Sequence, residues 1–160
     1  MSATSAKKKV EKVDLANLPG HRIRRLHQIS VALFMEETQD YGITPVQFAA
    51  LQAVADSPGL DQRTLARTIG FDTSTIGGVI DRLETRGLLD RHADPDDRRV
   101  RLLELTSEGK KLLRDVTPAM LRAQQRMLEP LSLRQHDEFM RMMEMLLASH
   151  QTPSREGDSA

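Results

Sequence analysis

The sequence predicts a mainly α-helical fold with one small β-hairpin, and three observations lead to this prediction. The turn signal Asp94-Pro95 precedes alternating apolar residues from Val100 to Leu105, which indicates a half-buried strand. Two short helical patterns separated by Gly70 come directly before it. Longer amphipathic patterns flank this central region on both sides. The fold class is therefore a winged helix-turn-helix, with the hairpin as its wing and long N- and C-terminal dimerisation helices.

The N-terminal region, residues 18–43, is predicted to hold a single long helix. Residues 1–17 are polar and carry lysines, so we expect them to form a flexible basic arm. The helix should run from about Pro19 to Asp40, and Gly42 should stop it. Its apolar stripe consists of Ile23, Leu26, Ile29, Ser30, Leu33 and Phe34.

Residues 44–106 are predicted to form the winged lobe. Thr44 and Gln47 have capping-box spacing around Pro45 and open a second helix, which ends at Ser57-Pro58-Gly59. A short third helix spans about residues 61–69. The fourth opens near residue 72 or 73, and Gly87 ends it. Strands over 88–92 and 100–105 complete the wing.

Two further helices are predicted over residues 107–149. Thr106 caps the first, which runs to about Leu128 and should bend at Pro118, because proline removes a helical hydrogen bond without interrupting the apolar stripe. A second capping box, Ser132 to Gln135, opens the last helix, which ends near residue 149. Residues 150–160 are expected to be a disordered tail.

Composition excludes several classes of protein. The 160 residues include no cysteine, so disulfides, thiolate zinc sites and thiol redox sensing are ruled out. No apolar run is long enough for a membrane helix, and the N-terminus has no apolar signal region, so we expect a cytoplasmic protein with no membrane partner. The 23 basic and 23 acidic residues cancel, so any affinity for nucleic acid must come from local charge.

The start of the fourth helix is the first candidate site for binding double-stranded DNA. Thr73, Ser74 and Thr75 are small hydroxyl side chains at a helix N-terminus, which suits contacts to base edges and phosphates in the major groove. The alternative is that Thr73 or Ser74 only caps the helix.

Farther along the same helix, Gly77 and Gly78 each cost about 1 kcal/mol relative to alanine. Close approach of Gly77 to DNA would explain this cost, and so would packing against a neighbouring helix. Arg82 and Arg86 are candidates for phosphate contacts, or for ion pairs with acids such as Asp81 or the wing carboxylates.

The wing is the second candidate DNA site. Its far side carries Arg98, Arg99 and Arg101, which are suited to phosphates or to a narrow minor groove. Asp97 is expected to brace one of these arginines while another projects. The alternative is a charged turn with no role beyond solvation.

The terminal helices carry more apolar surface than a small winged lobe needs, which favours a homodimer over intramolecular packing. The residues concerned in the last two helices are Leu112, Leu113, Val116, Met120, Met127, Leu128, Phe139, Met142, Met143, Leu146 and Leu147.

Nothing in the sequence indicates an enzyme. The five histidines show no metal-ligand spacing, so no metal site is expected, and no Ser-His-Asp set, glycine-rich phosphate loop or acid pair is evident. We therefore expect neither a catalytic residue nor a cofactor.

The wing sequence resembles that of the MarR family of bacterial transcriptional regulators. The resemblance lies in Asp94-Pro95, Asp97-Arg98-Arg99, Leu105-Thr106 and Gly109. It extends over about residues 20–149 through Leu51, Leu65-Ala66, Val79-Ile80, Leu83-Glu84 and Arg86-Gly87-Leu88.

The resemblance implies a homodimer joined through the first, fifth and sixth helices. Such dimers bind inverted-repeat operators, with each fourth helix in a major groove and each wing in the flanking minor groove. It places Thr73, Ser74 and Thr75 at the start of the recognition helix and Arg99 at the wing tip. Members usually repress, and small anionic aromatic or phenolic ligands commonly release them.

The family's ligand pocket lies between the first, second and fifth helices. In that zone the chain offers His21, Arg22 and Arg25 as carboxylate partners. Ring neighbours there are Phe34, Tyr41 and Phe48. The alternative is that the arginines bind DNA phosphates or acids of the other subunit. The absence of cysteine and of metal spacing departs from the peroxide-sensing and zinc-sensing branches.

The main hypothesis is a dimeric, ligand-responsive repressor. A winged-helix module that binds protein and not DNA is the alternative that the zero net charge favours. A DNA-binding regulator without any effector is the third.

Overall fold

The helices and the two wing strands follow the order that the sequence predicts, and a computed structural model describes them over residues 13–150. The elements are α1 (Pro19–Glu37), α2 (Pro45–Asp56), β1 (Leu60–Asp61), α3 (Gln62–Ile69), α4 (Thr73–Thr85), β2 (Leu89–Ala93), β3 (Arg101–Leu105), α5 (Ser107–Leu128) and α6 (Leu133–His150). The predicted fold class, mainly α with a small β-wing, is confirmed. No helix within residues 13–150 combines the length and apolarity needed to span a membrane.

The capping signals locate the helix starts correctly. At α2 the Thr44 hydroxyl accepts from the Gln47 amide, and the Gln47 side chain accepts from the Thr44 amide. The same reciprocal pair joins Ser132 and Gln135 ahead of α6. The α5 helix begins after Thr106 and continues through Pro118, as predicted. Local side-chain-to-backbone bonds thus determine where these helices begin.

The structure differs from the prediction at several boundaries and in one added strand, and the first wing strand lies one residue later, at Leu89–Ala93. The first helix ends at Glu37, three residues early, and a 3-10 turn over Gln39–Tyr41 follows it. Val100 lies in the turn and outside the strand, because its amide donates to the Asp97 carbonyl. A third strand, β1, pairs with β3, so the sheet order is β1-β3-β2. A strand of two residues is too short to produce a detectable period.

Regular structure reaches slightly farther toward both termini than the sequence predicts. Leu15–Asn17, assigned above to the flexible arm, form a 3-10 turn capped by Asp14. The α6 helix includes His150, which was assigned to the tail. The rest of the predicted arm, residues 1–12, and of the tail, residues 151–160, lies outside the described residues.

The core lies between the helices of the winged lobe and α5, whose buried apolar residues extend from Leu113 to Ala123. Its side chains come from α2, α3, α4, the sheet and α5, with Phe34 added from α1. The fully buried large residues are Ile43, Leu51, Leu65, Ile76, Ile80, Leu83, Leu89, Leu103, Val54 and Val116. This core holds α4 against the rest of the lobe through its inward face.

A close backbone contact joins the wing to α5. The Thr106 amide donates to the Leu88 carbonyl, and the Thr106 hydroxyl donates to the Gly87 carbonyl while accepting from the Gly109 amide. A Cβ atom placed on Gly109 would lie 1.9 Å from the Leu88 carbonyl oxygen. Only glycine permits this approach.

An ion cluster joins α1 to α5. Glu37 is the last residue of α1, and its carboxylate accepts from Arg122 at 2.9 Å and from Arg126 at 2.8 Å. Arg126 also contacts Glu36. The hydrogen bonds from the two arginines lower the pKa of Glu37 below its ordinary value. The cluster fixes the end of α1 along α5.

Large apolar side chains remain exposed on α1 and α6. No residue of α6 is buried in the single chain. The exposed set in these two helices includes Ile23, Leu26, Ile29, Met35, Leu133, Met140, Met142, Met145, Leu146 and Leu147. This surface agrees with the dimer expectation, which stays a prediction, and it exceeds the scattered apolar exposure that monomers commonly show.

Replacing Gly109 by alanine should strongly destabilise the protein. The added methyl group meets a backbone carbonyl, so α5 or the wing must shift, at a cost of about 3 kcal/mol. Chemical denaturation monitored by circular dichroism measures the difference. Gly78→Ala is the matched control: nothing lies within 4 Å of the new atom, and helix propensity should stabilise this variant by about 1 kcal/mol. Equal stability of the two variants would contradict the contact.

Candidate nucleic-acid interface

The start of α4 is organised by one carboxylate. Asp72 is the N-cap, and its side chain accepts from the Thr75 amide at 2.8 Å and from the hydroxyls of Ser74 and Thr75. The two hydroxyl bonds and the amide bond hold the pKa of Asp72 well below its ordinary value. Neither Thr73 nor Ser74 is therefore the cap, and the alternative that assigned them only this role is wrong.

The predicted recognition residues form one exposed patch at this helix end. Thr73, Ser74 and Thr75 all lie at the surface. The bonds to Asp72 fix the orientation of two hydroxyls, whose oxygens retain lone pairs that can accept from a ligand. The arrangement gives α4 a pre-oriented set of small polar groups at its positive end.

The two helix glycines have different surroundings. A Cβ on Gly77 would lie 3.0 Å from the Gln62 amide nitrogen, so this glycine packs against α3, as the packing alternative expects. Gly78 has open space around it. Of the pair, Gly78 presents bare backbone to the outside.

The two arginines near the end of α4 have different roles. Arg86 donates to the carbonyls of Gly42 and Tyr41, at 2.8 and 3.3 Å. Its guanidinium therefore joins the end of α4 to the loop after α1. It pairs neither with Asp81 nor with a wing carboxylate. Arg82 is exposed.

The wing turn is held by two aspartates. Asp94 accepts from the amides of Asp96 and Asp97, and Asp97 accepts from the amide of Arg99 at 3.0 Å. Asp97 thus bonds to the main-chain amide of Arg99 and leaves the guanidinium unheld by this carboxylate. Within residues 13–150 no ion pair involves Arg98, Arg99 or Arg101, and all three are exposed.

Arg91 connects the wing to α4, and the sequence analysis missed it. It lies on β2, partly buried, and contacts the carboxylates of Asp81 and Glu84, which are three residues apart on α4. The signal was available: acids at i and i+3 share a helix face, and an arginine follows on the adjoining strand. The ion pairs link the wing to α4.

The predicted ligand residues do not meet within one chain. Phe34 and Phe48 pack edge to face in the core, 6.0 Å between ring centres, and Tyr41 packs nearby. His21 lies 13 positions earlier on α1, about 20 Å away by helical rise. Arg25 is exposed. Arg22 bonds to the Ala16 carbonyl and the Asn17 side chain, so it stabilises the first 3-10 turn.

Comparison with known proteins identifies the family. A MarR family model matches residues 41–100. The transcriptional regulator HosA of Escherichia coli is 32% identical over 133 residues, which are 83% of this chain and 97% of HosA. The chain belongs to the MarR family. It is therefore a transcriptional regulator.

Solved MarR-family structures share this fold. The PcaV regulator of Streptomyces coelicolor, crystallised with its natural ligand, is 38% identical with a TM-score of 0.78, over 87% of this chain and 98% of PcaV. The repressor CouR, bound to a 23-mer DNA duplex, is 27% identical with a TM-score of 0.79, over 88% of this chain and 99% of CouR. CouR of Rhodococcus jostii RHA1 has also been crystallised with p-coumaroyl-CoA.

Replacing Asp72 by asparagine should reduce the pH dependence of stability. Asparagine keeps a capping oxygen but cannot ionise. Because the pKa of Asp72 is lowered in the folded state, its ionised form stabilises the protein above the ordinary value of 3.8, and this contribution disappears as the pH falls below that value.

The melting temperature measured from pH 6 to about 3 should therefore fall more steeply for the wild type than for Asp72→Asn. Thr75→Val, which removes one hydroxyl donor, should give an intermediate slope. Parallel curves for the wild type and Asp72→Asn would show that the bonds to Asp72 do not favour its ionised form.

Proposed function

We propose that this MarR-family protein is a cytoplasmic, homodimeric repressor that binds an inverted-repeat operator. In the proposal, α4 enters the major groove and the wing reaches the minor groove. A small aromatic carboxylate or phenolic ligand releases the DNA.

The observation that carries the proposal is the joining of α4 to the wing through Arg91. The pairing of Arg91 with Asp81 and Glu84 links two exposed surfaces and favours one relative position of them. One surface presents hydroxyls at a helix N-terminus, and the other presents exposed arginines on a turn. A groove-reading helix and a backbone-contacting hairpin need a defined relative position, since base edges and phosphates occupy regular positions along a duplex.

The homodimer is supported by the apolar surface of α1 and α6. A two-fold dimer would bury this surface and present two copies of α4, and symmetric dimers bind DNA sites with matching two-fold symmetry. The DNA complex of CouR, a similar protein over nearly the same length, supports DNA as the partner.

The effector is supported by the ligand-bound relatives. PcaV holds its natural ligand, and CouR holds a coenzyme A thioester whose acyl group carries a phenol. Here His21 and Arg25 are available to a carboxylate, whereas Phe34, Tyr41 and Phe48 surround the other end of α1. Because these groups lie far apart in one chain, they line a common pocket only if both protomers contribute.

Arg99→Ala should weaken operator binding and reduce its salt dependence. Loss of one phosphate contact lowers the slope of log affinity against log salt by roughly one per wing. The duplex is obtained by selecting genomic fragments with the wild-type protein, and fluorescence anisotropy at several salt concentrations gives the slope.

Arg134→Ala, with the same charge change on the exposed surface of α6, is the control and should leave the slope unchanged. If the wild type enriches no DNA at low salt, the protein–protein interaction module becomes the function to pursue. An equal effect of the two variants would remove the wing from the DNA contact.

An aromatic carboxylate effector should raise the melting temperature and lower operator affinity. A ligand that binds only the folded state stabilises it, by about 2.7 kcal/mol at one hundred times its Kd. Thermal-shift screening with hydroxybenzoates, hydroxycinnamates and cyclohexane carboxylate, the last as a non-aromatic control, identifies the class. Active compounds are then added to the anisotropy assay. If the protein binds DNA but no aromatic acid changes its melting temperature or its operator affinity, aromatic acids are not its effectors, and the effector-free regulator becomes the favoured hypothesis.

A further inference from the structure

The side chain of Gln62 bridges the two helices of the helix-turn-helix. Gln62 is the first residue of α3, directly after the cap Asp61. Its amide nitrogen donates to the carbonyl of Thr73 at 3.0 Å. Thr73 is the first residue of α4, eleven positions later in the chain. The bond therefore reaches from the start of one helix to the start of the next.

This bond holds the N-terminal end of α4, which the core contacts of that helix do not reach. The first core residue of α4 is Ile76, which is fully buried, whereas residues 73–75 before it are all at the surface. Within residues 13–150 the Asp72 side chain bonds only to groups of the same helix start, so it orders the first turn without attaching it to α3. Gln62 supplies the link between that turn and α3.

Gly77 leaves room for the Gln62 side chain. An added Cβ would lie 3.0 Å from the Gln62 amide nitrogen and 3.8 Å from its carbonyl carbon. The first of these distances is shorter than ordinary van der Waals contact, and the flexible amide is the group that would move. A Cβ atom at position 77 therefore pushes the Gln62 donor away by a small distance, which weakens its bond to the Thr73 carbonyl.

We propose that Gln62 is a positioning residue for sequence-specific DNA binding, and that Gly77 is glycine in order to admit it. Gln62 acts through Thr73 by fixing the direction in which the first turn of α4 presents its side chains. The proposal rests on the proposed function, because it concerns how an operator is discriminated from other DNA.

The bond should affect specific binding more than non-specific binding. Hydrogen bonds to base edges depend on helix placement, whereas phosphate attraction is long-ranged and tolerant of small rotations. Loss of one positioning bond therefore lowers operator affinity and leaves affinity for unrelated DNA unchanged. The salt slope also stays unchanged, since no cation is lost.

The test compares affinities for the selected operator and for a scrambled duplex of equal length. Gln62→Met keeps the length of the side chain but removes the donor, and Gln62→Ala removes the side chain beyond Cβ. Gln52→Ala is the matched control, because Gln52 lies on α2 and bonds only Asp56 of its own helix. Circular dichroism gives the folded fraction of each variant, so that affinities refer to folded protein.

We expect both Gln62 variants to lose about five- to tenfold in operator affinity, the equivalent of one hydrogen bond. Their scrambled-duplex affinity and salt slope should match the wild type. Gly77→Ala should show a smaller loss, because it shifts the Gln62 donor without removing it. Added to Gln62→Ala, the same substitution should cause no further loss, because the group that it shifts is then absent.

Three results would overturn the proposal. Unchanged operator affinity would mean that the bond positions nothing. A salt slope altered by the Gln62 variants would mean that cationic contacts to the DNA have changed as well, which is more than the loss of one positioning bond. Equal losses on both duplexes would mean a general structural defect. Failure of the proposed function is a different result, since then the wild type selects no operator.

Discussion

The contact between the Gly109 position and the Leu88 carbonyl is the constraint on which the rest of the structure depends. Leu88 follows the end of α4 and precedes β2, and Gly109 lies in the first turn of α5. Thr106 also donates to two carbonyls here, from its amide to Leu88 and from its hydroxyl to Gly87. Because α4, the wing and α5 are joined through this contact, a displacement of any one of them must involve the other two.

Two other connections extend this rigidity to α1. Arg86 joins the end of α4 to the carbonyls of Tyr41 and Gly42, just beyond α1. Glu37, at the end of α1, is held by two arginines of α5. The chain therefore closes a loop of contacts from α4 through α1 to α5 and back. A ligand that binds near α1 has a mechanical connection to α4, and it shifts α4 only if it binds the two arrangements with different affinity.

The fold could be predicted from the sequence because its signals are local. Thr44 with Gln47, Ser132 with Gln135, and Thr106 each specify a helix start through bonds spanning three residues. The two-residue strand β1 has no such signal, because it exists only where β3 passes beside it. In the candidate site, too, only the features with a local sequence signal could be predicted. Exposed wing arginines follow from turn chemistry, whereas the bond from Gln62 to Thr73 depends on how α3 and α4 pack.

The zero net charge of the chain is compatible with DNA binding because the acids and bases of the lobe are used differently. Asp72 is bonded at a helix N-terminus, Asp81 and Glu84 are paired with Arg91, and Asp94 and Asp97 accept turn amides. Each of these carboxylates accepts from a donor of the same lobe, so nearby dipoles or a cation offset much of its negative electrostatic field. Arg98, Arg99 and Arg101 have no such partner within residues 13–150 and extend outward. The potential that a phosphate meets at the wing is thus set by these three arginines more than by the charge count of the whole chain.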